Sequence, residues 1–322
     1  MMFTEIGTNI EKAAQFLLNE DIVAIPTETV YGLAGNALNE NSVSKIYVAK
    51  NRPHFNPLIL HLSGINQLNQ YAFPDQYSIL LAEAFMPGPL TLLLPKKSNV
   101  PDITTAGSDK VAVRVPNHTL TLELLHAIHF PLAAPSANPS GYISPTTATH
   151  VLEGLNGKIP YILDGGFTSV GVESTICEVK NDHIILHRTG GISASMLKEA
   201  SGLDVIATVH QASTPHTPGQ LKSHYAPNTP LYRGNIDALI EQNMGRKTAV
   251  ISFQKDYSSR GNLDCYVLSK QGNISEAANQ LFAIMREIDA KEYDIILTEI
   301  FPEEGIGSAI NDRLDRAQFL HK

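Results

Sequence analysis

Two cations stand two residues apart in the run Lys50-Asn51-Arg52-Pro53, and the apolar run Pro57-Leu58-Ile59-Leu60-His61 follows closely. Pro53 and Pro57 stiffen the loop between them. That arrangement suits gripping an anion beside a small polar ligand. A second motif, Ser136-Ala137-Asn138, lies between an apolar stretch and Pro139. It offers short donors and acceptors for the same rim. Lys110, Arg114 and Arg188 are further scattered cations. Strand alternation puts Lys110, Ala112 and Arg114 on one face, with Val111, Val113 and Val115 on the other. A lone cation at a strand end is ordinarily a solvated charge. Arg114, hemmed in by valines and followed by Pro116, is expected to be half-buried and to need an anion, because an unpaired guanidinium is costly to desolvate.

Other candidates weigh less. No Gly-x4-Gly-Lys-Ser/Thr run is present and no Gly-x-Gly-x-x-Gly follows a strand, so any nucleotide is held without a Walker loop. His61 ends an apolar strand, where a satisfied structural histidine is the ordinary outcome. Asp164-Gly165-Gly166 and Arg188-Thr189-Gly190-Gly191 read first as turns. Glu173-Ser174-Thr175 has no nucleophile elbow around it. The twelve histidines include no His-x-His pair, which argues against a metal hydrolase.

The elements that must position these residues alternate in type. Ile10, Ala13, Ala14, Leu17 and Leu18 recur at helical spacing after Thr8, an expected N-cap. A strand over Ile22–Ile25 runs into the turn Pro26-Thr27-Glu28-Thr29. Residues 39–50 read as a helix that places Lys50 and Arg52 at its C-terminal end. Short strands are expected at 58–62, 90–94, 111–115, 132–134, 161–163, 175–179 and 184–187. Helices are expected near 76–86, 119–128, 146–155 and 193–201. The mixed order predicts an α/β sheet with parallel and antiparallel pairs.

Near residue 206 the pattern changes. Thr208 to Pro230 holds four prolines and three histidines with no period, too long for an ordinary loop. Beyond it come strand 230–233, helix 235–244, strands 248–253 and 265–268, helix 274–290, strand 295–299 and helix 308–320. This alternation predicts a smaller Rossmann-like α/β domain with a mostly parallel sheet. The expected division is 1–205, a linker or lid over 206–229, and 230–322.

Bulk composition sets limits. The 322 residues are 43% hydrophobic and 17% charged, with a formal charge of −8. Residues 1–205 carry 12 Lys and Arg against 18 Asp and Glu, and the remainder carries 12 against 14. Neither half is basic, a poor basis for gripping a nucleic-acid backbone directly. Cys177 and Cys265 are too far apart for a zinc spacing and are expected as two buried thiols. Glu5, Glu11 and Lys12 interrupt the start, so no signal peptide is expected. No stretch reaches the roughly 18 apolar residues of a membrane span. A cytoplasmic address and no membrane partner are the expectations.

Taken in order, the segments Pro26–Gly32, Lys50–Leu62, Pro87–Thr91, Val111–Pro116, Ala134–Gly141, Gly171–Ile176, Leu186–Ile192, His224–Pro227 and Gly305–Ala317 resemble the L-threonylcarbamoyladenylate synthase family. The resemblance is to its longer two-domain form, with a YrdC-like catalytic domain built on a twisted mixed sheet. It covers essentially the whole chain. It implies that L-threonine, bicarbonate or carbon dioxide, and ATP give threonylcarbamoyl-AMP and pyrophosphate, with magnesium carried by the ATP. A separate transferase complex would then modify tRNA, with no stable tRNA binding by this chain.

The resemblance also carries roles. Thr29, His61, Arg114, Ala134 (through its backbone) and Thr175 correspond to a threonine site. Arg52, Asn56, Lys110, Ser136, Asn138, Ser144, Arg188 and Tyr225 correspond to an ATP site, and Lys50 with Arg52 to the catalytic pair. Lys50 and Asn138 are expected at the phosphates or the carbamate. Ser223-His224-Tyr225 is expected to fold over the nucleotide. The competing expectation, from a different class, is a double-stranded RNA-binding module with Lys50, Arg52, Lys96, Lys97 and Lys110 lining a concave surface.

Overall fold

Polar side chains start most of the helices. Asn9, Asn39, Asp75 and Asn273 each turn a side-chain oxygen onto a backbone N–H two or three residues ahead, which satisfies a donor the helix itself leaves open. The first helix is therefore capped by Asn9, one residue past the expected Thr8, because the side chain that reaches the Lys12 N–H is that of Asn9. The structure, a computed structural model, describes residues 3–207 and 224–318.

The helices are α1 Ile10–Leu18, α2 Glu40–Lys50, α3 Leu68–Tyr71, α4 Gln76–Phe85, α5 Asp102–Thr105, α6 Thr119–Ala127, α7 Ala148–Leu155, α8 Ala194–Ser201, α9 Ile236–Gln242, α10 Ile274–Asp289 and α11 Gly307–Ala317. The strands of the larger sheet are β1 Glu5–Gly7, β2 Val23–Ile25, β3 Gly32–Asn36, β4 Ile59–His61, β5 Leu90–Pro95, β6 Lys110–Arg114, β7 Leu132–Ala133, β8 Tyr161–Leu163, β9 Thr175–Lys180, β10 His183–Arg188 and β11 Asp204–Ala207. Their order is β1-β8-β2-β3-β7-β4-β6-β5-β9-β10-β11. Parallel and antiparallel neighbours both occur, as the mixed order of elements predicts. A second sheet of β12 Leu231–Arg233, β13 Thr248–Ser252, β14 Leu263–Val267 and β15 Ile295–Thr298 has the order β12-β15-β13-β14 and is parallel throughout.

The alternation along β6 is realised. Val111 and Val113 enter the main core, while Ala112 packs on the other face with Ile59, Leu93 and Ile176. Three strands were not expected: β1, β3 and β11. The β3 sequence, Gly-Leu-Ala-Gly-Asn, has no β-branched residue and becomes a strand only by pairing with β2 and β7. β11 extends the larger sheet to Ala207, past the boundary expected at 205. Most of the segment expected as linker, 208–223, lies outside the described residues, as do 319 and 320 of the last expected helix. Of the two cysteines, Cys177 is buried and Cys265 only half-buried. Among the described residues no helix is long and apolar enough to cross a membrane.

One hydrophobic cluster joins the second sheet and its helices to loops of the first unit. Val30, Ile143, Val172 and Tyr225 pack with Ala278, Leu281 and Phe282 of α10 and Ile310 of α11. Each large apolar side chain buried there contributes about 1.5–3 kcal/mol. Polar links reinforce it. Arg286 donates to the Ile143 carbonyl at 2.6 Å, and Asp289 accepts from Tyr142 Oη at 2.8 Å and from the Thr229 N–H at 2.8 Å. The second sheet is thereby fixed against the loops that frame the cavity described next.

Candidate active site

Three adjacent strands bring distant residues together. β7, β4 and β6 are neighbours, and their register sets His61 opposite Leu132 on one side and Arg114 on the other. The chain leaves β7 at Ala134, whose N–H donates to Ile59 O at 3.0 Å. A bridge between Gly32 and Ser136 then draws the Pro26–Tyr31 turn alongside. Thr27 Oγ1 holds that turn by accepting the N–H groups of Thr29 and Val30 at 3.1 and 3.2 Å.

These segments enclose a cavity lined by Thr27, Thr29, Val30, Gly32, Arg52, Ile59, His61, Arg114, Ala134, Pro135, Ser136, Glu173, Ser174, Arg188, His224 and Tyr225. The cavity has a volume of about 40 Å³ and opens to solvent on one side. Residues from Thr27 to Tyr225 therefore meet here, and eight of those expected from the sequence line the space: Thr29, Arg52, His61, Arg114, Ala134, Ser136, Arg188 and Tyr225.

The cations are deeply set. Arg52 follows the left-handed Asn51 that ends α2, and its guanidinium donates to Asn56 O at 3.1 Å and Pro57 O at 2.9 Å. Burial, with Arg188 nearby, lowers its pKa to about 10. Arg188 donates to Ser174 O at 2.9 Å and Ser174 Oγ at 3.0 Å. Arg114 Nη2 lies 2.7 Å from Glu28 Oε1, with both side chains about 95% buried. The two atoms touch without the alignment of a hydrogen bond, leaving bonding capacity on each. The half-buried Arg114 expected from the sequence is thus almost fully buried, and its anion is an internal glutamate. His61 beside it stays uncharged, since burial and the charge of Arg114 pull its pKa down to about 3.

His224 and Tyr225 close one side. Tyr225 has φ +63°, a left-handed conformation uncommon for a bulky residue. It is held between Phe282, 5.6 Å away ring to ring, and the Arg313 guanidinium at 5.2 Å. Ser223, expected with them, lies outside the described residues.

Six expected site residues do not line the cavity. Lys50 is buried and donates to the carbonyls of Ser136 and Asn138 at 2.5 Å each, so it ties the Ser-Ala-Asn turn to α2. Burial and the charge of Arg52 hold its pKa well below the lysine range. Asn138 braces its own turn by donating to Pro139 O and Tyr142 O. Ser144 donates to Glu173 Oε1 at 2.5 Å, and Thr175 exchanges hydrogen bonds with the backbone of Ile192. Asn56 is fully buried beside Arg52, and neither side-chain atom has a partner among the described residues. Lys110 sits at the far end of β6 from Arg114 and pairs with Glu178 at 2.6 Å. The surface required for RNA binding is not formed: Lys50 and Arg52 are buried, Lys96 pairs with Asp102, and Lys97 binds the Asn69 carbonyl.

Sequence reasoning assigned no role to Glu28, Glu173 or Arg313. All three lie inside the segments that carry the resemblance, so composition of the motif was the available signal. Nothing in spacing could pair Glu173 with Arg313, 140 positions later.

The chain matches known proteins along nearly all its length. Residues 15–190 match the family described as telomere recombination, which includes the YrdC proteins, and residues 192–318 match the threonylcarbamoyl-AMP synthase C-terminal domain. A threonylcarbamoyl-AMP synthase of Pyrococcus abyssi is 40% identical over 96% of this chain and 93% of that one. Its counterpart in Bacillus subtilis is 39% identical over 97% and 94%. A crystal structure of the Pyrococcus abyssi protein complexed with L-threonine superposes with a TM-score of 0.89, at 36% identity, over 99% of this chain and 97% of that one. With both matches in order and the relatives aligned almost end to end, the chain belongs to the threonylcarbamoyl-AMP synthase family.

Proposed function

We propose that the chain makes threonylcarbamoyl-AMP and pyrophosphate from L-threonine, bicarbonate or carbon dioxide, and ATP. The observation that carries this reading is the convergence of Arg114, His61 and Ala134 with Arg52, Ser136 and Arg188 on one cavity. Relatives bearing that name and the threonine complex of the Pyrococcus abyssi protein support it.

The geometry suits the chemistry. Threonine's unprotonated amine adds to carbon dioxide, forming a C–N bond and, on loss of the ammonium proton, an N-carboxylate. A carboxylate oxygen then attacks the α-phosphorus of ATP, and the bond to the β-phosphate oxygen breaks to release pyrophosphate. Both reactants are anions, so positioning and cations supply the catalysis. Arg114 takes the amino-acid carboxylate with the donors that Glu28 leaves unaligned. His61, uncharged, contributes a hydrogen bond rather than a second positive charge. Thr29 and the Ala134 backbone border that end. Arg52 and Arg188 take the phosphates, with Ser136 at the rim and Tyr225 over the nucleotide. Asn56, fully buried, backs the Arg52 guanidinium through its carbonyl. Lys50, Asn138, Ser144 and Thr175 act by holding the walls, and Lys110 contributes through β6.

Magnesium is treated as part of the substrate. Among the described residues no three or more His, Cys, Asp or Glu side chains gather as metal ligands, and Glu28 and Glu173 are engaged by arginines. In this reading the ion arrives bound to the triphosphate.

Residues 1–207 form the catalytic unit in this reading, with residues 224–318 completing its walls. The product passes to a tRNA threonylcarbamoyl transferase complex in the cytoplasm, without stable tRNA binding by this chain. The test is pyrophosphate release with threonine, bicarbonate and ATP, omitting each in turn. Release that requires all three upholds the reading. Release that ignores threonine overturns it.

A further inference from the structure

Arg313 on α11 is fully buried and belongs to the second unit, yet its guanidinium reaches Glu173, a residue that lines the cavity. Nε donates to Glu173 Oε2 at 2.9 Å, Nη2 to Thr189 O at 2.9 Å, and Nη1 to Asp312 Oδ2 at 2.7 Å. The remaining oxygen of Glu173 accepts from Ser144. Both oxygens of this carboxylate are thus held by partners. The adjoining backbones are tightly packed as well: a Cβ on Gly190 would fall 2.5 Å from Glu173 O.

Glu173 is the one carboxylate-bearing residue among those lining the cavity. An ionised carboxylate in a buried space repels a polyanion and competes with it for nearby guanidinium groups. Breaking a buried pair by removing one partner leaves the other charge uncompensated. Glu173 without Arg313 would be such a charge, placed beside Arg188 and within the field of Lys50.

We propose that Arg313 is a positioning residue for the nucleotide site: it neutralises Glu173 and aims it at Ser144, so that this carboxylate does not compete with the triphosphate for Arg52 and Arg188. The inference rests on the reading of Arg52 and Arg188 as nucleotide contacts. It gives the C-terminal unit an electrostatic task in substrate binding, delivered through a single side chain.

The test uses the full chain, with calorimetric binding of Mg-ATP and steady-state pyrophosphate release. Arg313→Met should weaken ATP binding by about tenfold or more, within the range of coupled neighbours, and raise KM for ATP while KM for threonine stays within about threefold. Adding Glu173→Gln to Arg313→Met removes the stray anion and should restore most of the lost ATP affinity. Arg313→Lys, which keeps the charge but loses the fork, should fall between. Wild-type ATP binding by Arg313→Met, or a folded double variant that binds no better than the single one, overturns the proposal. Should Arg313→Met fail to fold, the double variant and Arg313→Lys decide by the same comparison. Arg52→Ala serves as the control for the underlying reading: unchanged ATP binding by that variant removes Arg52 from the site, whatever Arg313 does.

Discussion

Glu28 Oε1 and Arg114 Nη2 stand 2.7 Å apart, about 95% buried, without hydrogen-bond alignment between them. The other oxygen of Glu28 is fixed by the Asn117 N–H at 3.0 Å. The carboxylate is therefore anchored, and the arginine is compensated but not consumed.

Glu28→Gln removes that compensation and should cost about 3–5 kcal/mol of stability, the usual price of breaking a buried pair. Threonine would then bring a full negative charge to Arg114 in place of Glu28. The expected outcome is a lower melting temperature for the free variant and a larger upward shift on adding threonine than the wild type shows. Equal shifts in the two proteins would separate Arg114 from the amino-acid carboxylate.

Lys50→Met orphans two buried carbonyls, those of Ser136 and Asn138. Each unsatisfied group costs about 1–3 kcal/mol. The urea midpoint should fall with an unchanged slope, and KM should rise for ATP because Ser136 is displaced. A variant as stable as the wild type but inactive would instead place the Lys50 ammonium in the chemistry.

His61 makes the fold sensitive to acid. Its folded pKa is lowered to about 3 by burial and then by Arg114, against about 6.5 unfolded. Between those values the unfolded chain holds a proton that the folded one does not, so stability falls as pH drops below about 6.5. Above that point His61 adds no pH dependence. The slope from this residue alone is about 1.4 kcal/mol per pH unit. His61→Gln should remove that slope from the unfolding free energy measured in urea from pH 6.5 to 4.5. Parallel profiles for variant and wild type would mean that His61 is protonated in the folded state.

Substrate choice follows from the polar lining around Thr29. A pocket that bonds the threonine hydroxyl rejects valine by about 10⁴-fold or more, whereas serine, short of one methyl, loses roughly 1–3 kcal/mol. Pyrophosphate release should be weak with serine and negligible with valine. Comparable turnover of valine would show that the hydroxyl is not bonded.

Local features were legible in the sequence and long-range pairings were not. The helix that ends at Lys50, the alternation of β6 and the parallel second sheet each follow from periods of a few residues. The inward turn of Lys50 to the Ser136 and Asn138 carbonyls was not legible, because it depends on where a turn 86 positions later comes to lie. Glu28 and Arg114 are 86 positions apart, and Glu173 and Arg313 are 140 apart, so no local pattern links them. β3 escaped notice because its glycines give no strand preference of their own.

The shared apolar cluster of Val30, Ile143, Val172 and Tyr225 with α10 and α11 has a thermodynamic corollary. Separating α10 and α11 from the loops that carry Val30, Ile143 and Val172 would wet hydrocarbon on both sides, so the two units resist coming apart.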